Sequence, residues 1–196
     1  MRELLVFIGI VLALAGCHAA LAEPRPVVVM QPHEADRLWS FQESKGELGS
    51  GGELQIFIDP ETHPQAKASF AKYTLGVGGA LPVHRHEKTE EFAYILSGEG
   101  AAVVLDDGGR EVEVPIGAGV VWYNPPGAWH AVRNKGSTPL SLVFATVPNE
   151  EKGLLSFFRL ISAKPGDEPI VLPPKEFERM ASEHDMILRA PETDAH

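Results

Sequence analysis

"PVHRHEKTEEFAYILSG", residues 82–98, holds two histidines one residue apart, then a glutamate pair and a short apolar run ending in glycine. On an extended chain, alternate side chains share a face. His84 and His86 therefore point one way and Arg85 the other. Pro82 favours the extended form by fixing its own φ and restricting the residue before it. Only one of Glu90 and Glu91 can face inward. If it is Glu91, then Ala93 and Ile95 follow it inside while Phe92 and Tyr94 lie outside, packed against other elements. Glu90 is the fallback if the register differs. A second stretch, "PPGAWHAVRN" at residues 125–134, adds His130, which shares a face with Val132 and Asn134. Three imidazoles and one carboxylate converging inside a barrel would form a site suited to zinc, iron, copper, nickel or manganese.

The text around these stretches reads as strands. "LQIFID", "ASFAKYTLG", "FAYILSG", "AAVVLDD", "REVEVP", "GVVWYN", "WHAVRN" and "LSLVFATVP" are short and rich in β-branched and aromatic residues. Gly, Pro, Asn and Asp punctuate them. Asp106-Asp107-Gly108-Gly109 has the composition of a hairpin turn. Many short strands at this spacing indicate an all-β sandwich or barrel. Upstream, "PVVVM" is expected to be an edge strand. Downstream, "EKGLLSFFRLISA" has apolar residues at helical spacing, Leu154, Phe157, Phe158 and Ile161. "LPPKEFERMASEHDMI" predicts a second helix, with Pro174 in its first turn and Phe177, Met180 and Ala181 on one face. The organisation expected is a leader over 1–22, an arm over 23–50, a barrel over 51–148 and a helical extension with a frayed tail over 149–196.

The chain has 196 residues, 44% of them hydrophobic, and a net charge of −10. That is enough for a packed core and too acidic for a generic nucleic-acid binder, whose phosphate contacts need Lys and Arg. Cys17 is the one cysteine, so no internal disulfide can form. It ends Leu14-Ala15-Gly16-Cys17, which follows Arg2 and an apolar run too short to span a membrane comfortably. This resembles the lipobox of bacterial lipoproteins and implies lipidation of Cys17. The expected location is the periplasm or outer membrane, anchored by lipid. His18 after the cysteine favours the outer membrane by resemblance to Gram-negative lipoproteins. The alternative is plain secretion, with cleavage after Ala20-Leu21-Ala22.

The histidine stretches also resemble the two motifs of the cupin family. Gly78, His84, His86, Glu91 and Gly98 fit the first, G-x5-H-x-H-x3–4-E-x6-G. Gly119, Pro125, Gly127, His130 and Asn134 fit the second, G-x5-P-x-G-x2-H-x3-N. The resemblance covers about residues 51–147. It implies an antiparallel jelly-roll barrel, metal ligation by His84, His86, Glu91 and His130, and a homodimer. The C-terminal extension resembles that of small quercetin-dioxygenase-like monocupins. By that analogy the protein is a metal-dependent dioxygenase in which Glu91 also takes a proton from a small, flat or phenolic substrate. The other expectation is a lipid-anchored binding module that captures a metal or small ligand without catalysis. Trp122, Tyr123 and Trp129 are candidates for a pocket rim, and Asn134 for a structural role.

Overall fold

The computed structural model describes residues 27–190. The leader with Cys17 and the last six residues of the tail lie outside these. In chain order the elements are β1 (Asp36–Ser40), β2 (Gly52–Ile58), β3 (Ser69–Leu75), β4 (His84–Arg85), β5 (Glu90–Ser97), β6 (Glu99–Leu105), β7 (Glu111–Gly117), β8 (Val121–Asn124), β9 (His130–Asn134) and β10 (Leu140–Val147). Then follow α1 (Leu154–Ile161), β11 (Ser162–Ala163), α2 (Pro174–Glu183) and β12 (Ile187–Leu188).

Two antiparallel sheets face each other in a jelly-roll barrel. One runs β11-β1-β2-β3-β10-β5-β8, the other β12-β4-β9-β6-β7. The period-2 pattern decides which side chains enter. On β3, Ser69, Ala71, Tyr73 and Leu75 are buried, while Phe70 is exposed and Lys72 and Thr74 are half-buried. The core joins Ala71, Tyr73 and Leu75 to Leu54, Ile56, Ile95, Leu142 and Phe144. The β6–β7 hairpin closes where the composition indicated. The Asp106 carboxylate accepts the backbone N–H groups of Gly108 and Arg110, each at 2.9 Å. Gly98 joins β5 to β6 at φ +85°, where a Cβ would also meet the Pro139 carbonyl oxygen at 2.5 Å. Both reasons require glycine there. Asn134 is structural: its Nδ2 donates to the Leu75 and Gly76 carbonyls, tying β9 to the end of β3.

The two helices form where the periodicity placed them. Leu154, Phe157, Phe158 and Ile161 of α1 are buried. Pro174 opens α2, which buries Ala181 and packs Phe177 and Met180 against the core.

Two expectations are corrected. The described part of "PVVVM" forms no strand, and Val27 and Val29 are 90% and 80% exposed. The strand lies later, at β1, where Arg37 and Trp39 both donate to Glu53 on β2. β-propensity without a pairing partner does not make a strand. Phe92 and Tyr94 do lie outside the barrel, but among the described residues no further element packs over them. They are 43% and 46% exposed, with Phe92 stacked on Tyr123 at 4.8 Å.

Arg159, in the last turn of α1, ties the helix to the sheet. Its Nε donates to the buried Asp59 carboxylate just after β2, and its Nη2 to Asp36 on β1. Burial pushes the Asp59 carboxyl up, but bonds from Arg159 and Thr62 outweigh this and hold it below its ordinary range. Arg159→Met leaves Asp59 unpaired and is expected to cost about 3 kcal/mol at neutral pH. Because the folded carboxyl is held low, the pair's contribution is complete above the ordinary carboxylate range. It is lost as pH falls through the folded pKa. Urea denaturation of both proteins across pH is expected to show the gap narrowing in acid. A constant gap would contradict the assignment.

Candidate metal centre

β4 is only two residues long, yet it places the first histidine. His84 lies opposite His130 of β9 across the antiparallel ladder. His86 follows on the same face, while Arg85 turns away to pair with Glu87 and sit over the Trp129 ring. The Pro125-Pro126-Gly127 turn leads into β9. Gly127, at φ +82°, donates its N–H to the His86 carbonyl at 2.6 Å and holds the two histidine segments together. Glu91 enters from the other sheet on β5, opposite Asn124, whose Nδ2 donates to Glu91 Oε2 at 3.1 Å.

All four sequence-predicted residues meet. One ligand-type atom from each of His84, His86, Glu91 and His130 lies within 4.8 Å of the others. The three histidines are buried. Each Nδ1 faces a backbone carbonyl: His84 that of Pro82 at 2.8 Å, His130 that of Ala128 at 2.8 Å, and His86 that of Asp185 at 2.6 Å. A carbonyl oxygen only accepts, so each Nδ1 carries the proton. In a neutral imidazole the lone pair is then on Nε2. Among the described residues the buried His86 Nε2 has no hydrogen-bond partner, and it lies 3.9 Å from Glu91 Oε2. His130 Nε2 lies 3.1 Å from the same oxygen.

The charges follow from these surroundings. Burial, reinforced by the His130 and His86 imidazoles, pushes His84 down to about 3. Burial also pushes His86 down. Burial alone would raise Glu91, but the His130 hydrogen bond and the neighbouring imidazoles hold it at about 2. Burial opposes charge on His130 as well, but Glu91 prevails and raises it. Glu91 and His130 thus favour each other's charged forms, while burial favours the neutral forms of His84 and His86.

Beside the cluster is a cavity of about 30 Å³. Ala93, Val132 and the rim candidate Trp122 line it, while Ile95, also inward, is packed in the core. Trp122 stands edge-on to His130 at 5.8 Å. Tyr123 and Trp129 are not at the rim. Tyr123 faces solvent and donates to Glu90, and Trp129 lies under Arg85. Glu90 therefore belongs to the outer face.

The C-terminal extension reaches this site, which the sequence did not reveal. Leu154 and Phe158 of α1 and Met186 after α2 complete the cavity wall. Asp185 supplies the carbonyl that orients His86. These contacts span about a hundred residues and have no local signal. Asn124, next to "PPG", is the one missed partner that a strand-pairing argument could have reached.

Residues 71–146 match the family model described as the cupin domain. An oxalate-binding protein of Thermotoga maritima is 32% identical over 108 residues, 55% of this chain and 82% of that protein. An uncharacterized protein of Methanocaldococcus jannaschii is 31% identical over 98 residues, 50% of this chain and 74% of that one. A solved Thermotoga maritima structure, described as a predicted oxalate decarboxylase, aligns at 30% identity with a TM-score of 0.49, covering 62% of this chain and 99% of that one. The matched segment contains every strand that carries the four clustered residues, and the chain belongs to the cupin family.

Proposed function

We propose that His84, His86, Glu91 and His130 hold one divalent transition metal, and that this centre binds a short carboxylate of the oxalate class. The observation that carries the reading is His86 Nε2, a buried lone pair with no hydrogen-bond partner among the described residues. An unmatched buried polar atom costs about 1–3 kcal/mol, and a metal ion satisfies it. The donor set of nitrogen and oxygen without sulfur suits manganese, iron, nickel, copper or zinc.

When bound, the metal would supply Lewis-acid attraction for ligand oxygens and, if redox-active, electron transfer. The protein decides what it attracts. Three neutral imidazoles and one carboxylate leave a divalent ion with one net positive charge in an apolar cavity, so the preferred ligand is an anion. About 30 Å³ is room for roughly two water-sized groups, the scale of the two oxygens through which a carboxylate meets a metal. The name of the Thermotoga relative points to the same chemistry.

Binding without turnover is favoured by the wall. Among the described residues, the ionisable side chains lining the cavity are Tyr73, His84, Glu91 and His130. Burial pushes Tyr73 up and its hydroxyl pairs with Ser40, so it is no proton shuttle at neutral pH. Any turnover would therefore draw its proton transfer from Glu91, hydrogen-bonded to His130, and this is the form in which the oxidoreductase reading stands. We further propose that the chain is exported and lipid-anchored at Cys17, on the strength of Leu14-Ala15-Gly16-Cys17.

The wild-type protein is expected to take up about one equivalent of metal, with proton release that grows as pH falls, because Glu91 favours the protonated form of His130 and a ligand must be deprotonated. Affinity should fall as pH drops through the raised His130 pKa. The His84→Ala/His86→Ala variant should take up none by mass-spectrometric metal analysis, and stoichiometric metal in it would refute the site. Calorimetry of the loaded protein with oxalate is expected to show binding. Oxygen consumption or carbon dioxide release would add turnover to it. Cys17→Ser should move the protein out of the membrane fraction, and unchanged fractionation would refute the anchor.

A further inference from the structure

The turn after α2 performs three tasks with two residues. His184 ends the helix, and both His184 and Met186 return their N–H groups to the Ala181 carbonyl. Between them Asp185 adopts φ +59°, a left-handed conformation that aspartate tolerates better than most residues. The reversal points the Asp185 carboxylate at the loop after His86. There it accepts the backbone N–H of Glu87 at 2.9 Å, Lys88 at 3.2 Å and Thr89 at 3.1 Å, and the Thr89 hydroxyl at 2.7 Å. Successive N–H groups converging on one carboxylate make an anion nest, filled here by the protein itself. The Asp185 carbonyl takes the His86 Nδ1 proton. Immediately afterwards β12 pairs with β4, Leu188 opposite His84.

Held from both sides, Met186 is 1% exposed and lines the cavity beside His84, Glu91 and His130. Its neighbours in the wall are of a different kind. Ala93, Val132 and Leu142 stand on strands fixed by ladders on both sides. Phe158 is locked among aromatic rings, 5.6 Å from Tyr73 and 6.2 Å from Phe157. Met186 is an unbranched thioether on a turn, clamped to a segment that carries a cluster residue.

We propose that Met186 is the specificity-determining residue of the site: it limits how much of a ligand beyond its two metal-facing oxygens the cavity admits, and the Asp185 clamp holds it in position. This rests on the metal-bound carboxylate reading above. Met186→Ala removes Cγ, Sδ and Cε from the wall, and longer dicarboxylates should enter.

The test uses the full chain loaded with Co(II), whose visible absorption reports changes in its ligands. Oxalate, malonate and succinate, a ladder of added methylenes, are titrated into the wild type and Met186→Ala. Cobalt stoichiometry shows whether each protein is folded and loaded. If Met186→Ala does not load, Met186→Val, a milder truncation, is titrated in its place. The wild type is expected to favour oxalate over succinate by at least about tenfold, and the truncated variant to narrow that ratio by at least about tenfold. An unchanged ratio in a loaded variant would overturn the gate and leave the metal site standing. A loaded wild type that responds to none of the three would overturn the carboxylate reading and the gate with it.

Discussion

Three imidazoles sit with Nδ1 tied to a backbone carbonyl, and those of His86 and His130 turn Nε2 toward the Glu91 carboxylate. That constraint organises the rest of the molecule. Burying polar nitrogens is costly unless each has a partner, and here each ring has one partner built into the chain. The Pro82, Ala128 and Asp185 carbonyls choose the tautomer, and so they choose which nitrogen faces inward. The barrel then keeps water away, pushes His84 and His86 toward their neutral forms, and leaves Glu91 as the cluster's negative charge. Neutral nitrogen and ionised oxygen are the forms a divalent ion requires.

The two sheets share the work. One contributes His84 and His130 from paired strands, and the other contributes Glu91 with Asn124 behind it. The C-terminal extension adds what a bare barrel lacks. α1 places Leu154 and Phe158 in the cavity wall, and the turn at Asp185 orients His86 while placing Met186 there. Among the described residues, Phe92, Tyr94, Val121 and Tyr123 stay exposed on the outer face of the larger sheet.

The four clustered residues were legible because their geometry is local. Strand alternation puts His84 and His86 on one face and separates Glu91 from Glu90, and the proline-glycine turn delivers His130. The helices were legible from periodicity, since Leu154, Phe157, Phe158 and Ile161 make one apolar stripe. Tertiary pairing overruled propensity at the N-terminal arm. Three valines lacked a partner, whereas Asp36–Ser40 had β2 on one side and β11 on the other. Trp129 and Tyr123 read as rim residues only while Arg85 and Glu90 were unplaced. The Asp185 clamp was invisible because its partners lie 96 to 99 positions away, and no pattern within one segment encodes such a contact.

The central claim is that these three histidines and Glu91 bind a single ion together. X-ray absorption at the metal edge of the loaded wild-type protein tests it most directly. The account predicts a shell of nitrogen and oxygen neighbours at about 2.0–2.2 Å, with outer-shell scattering from three imidazoles. A shell showing one imidazole or none would contradict it.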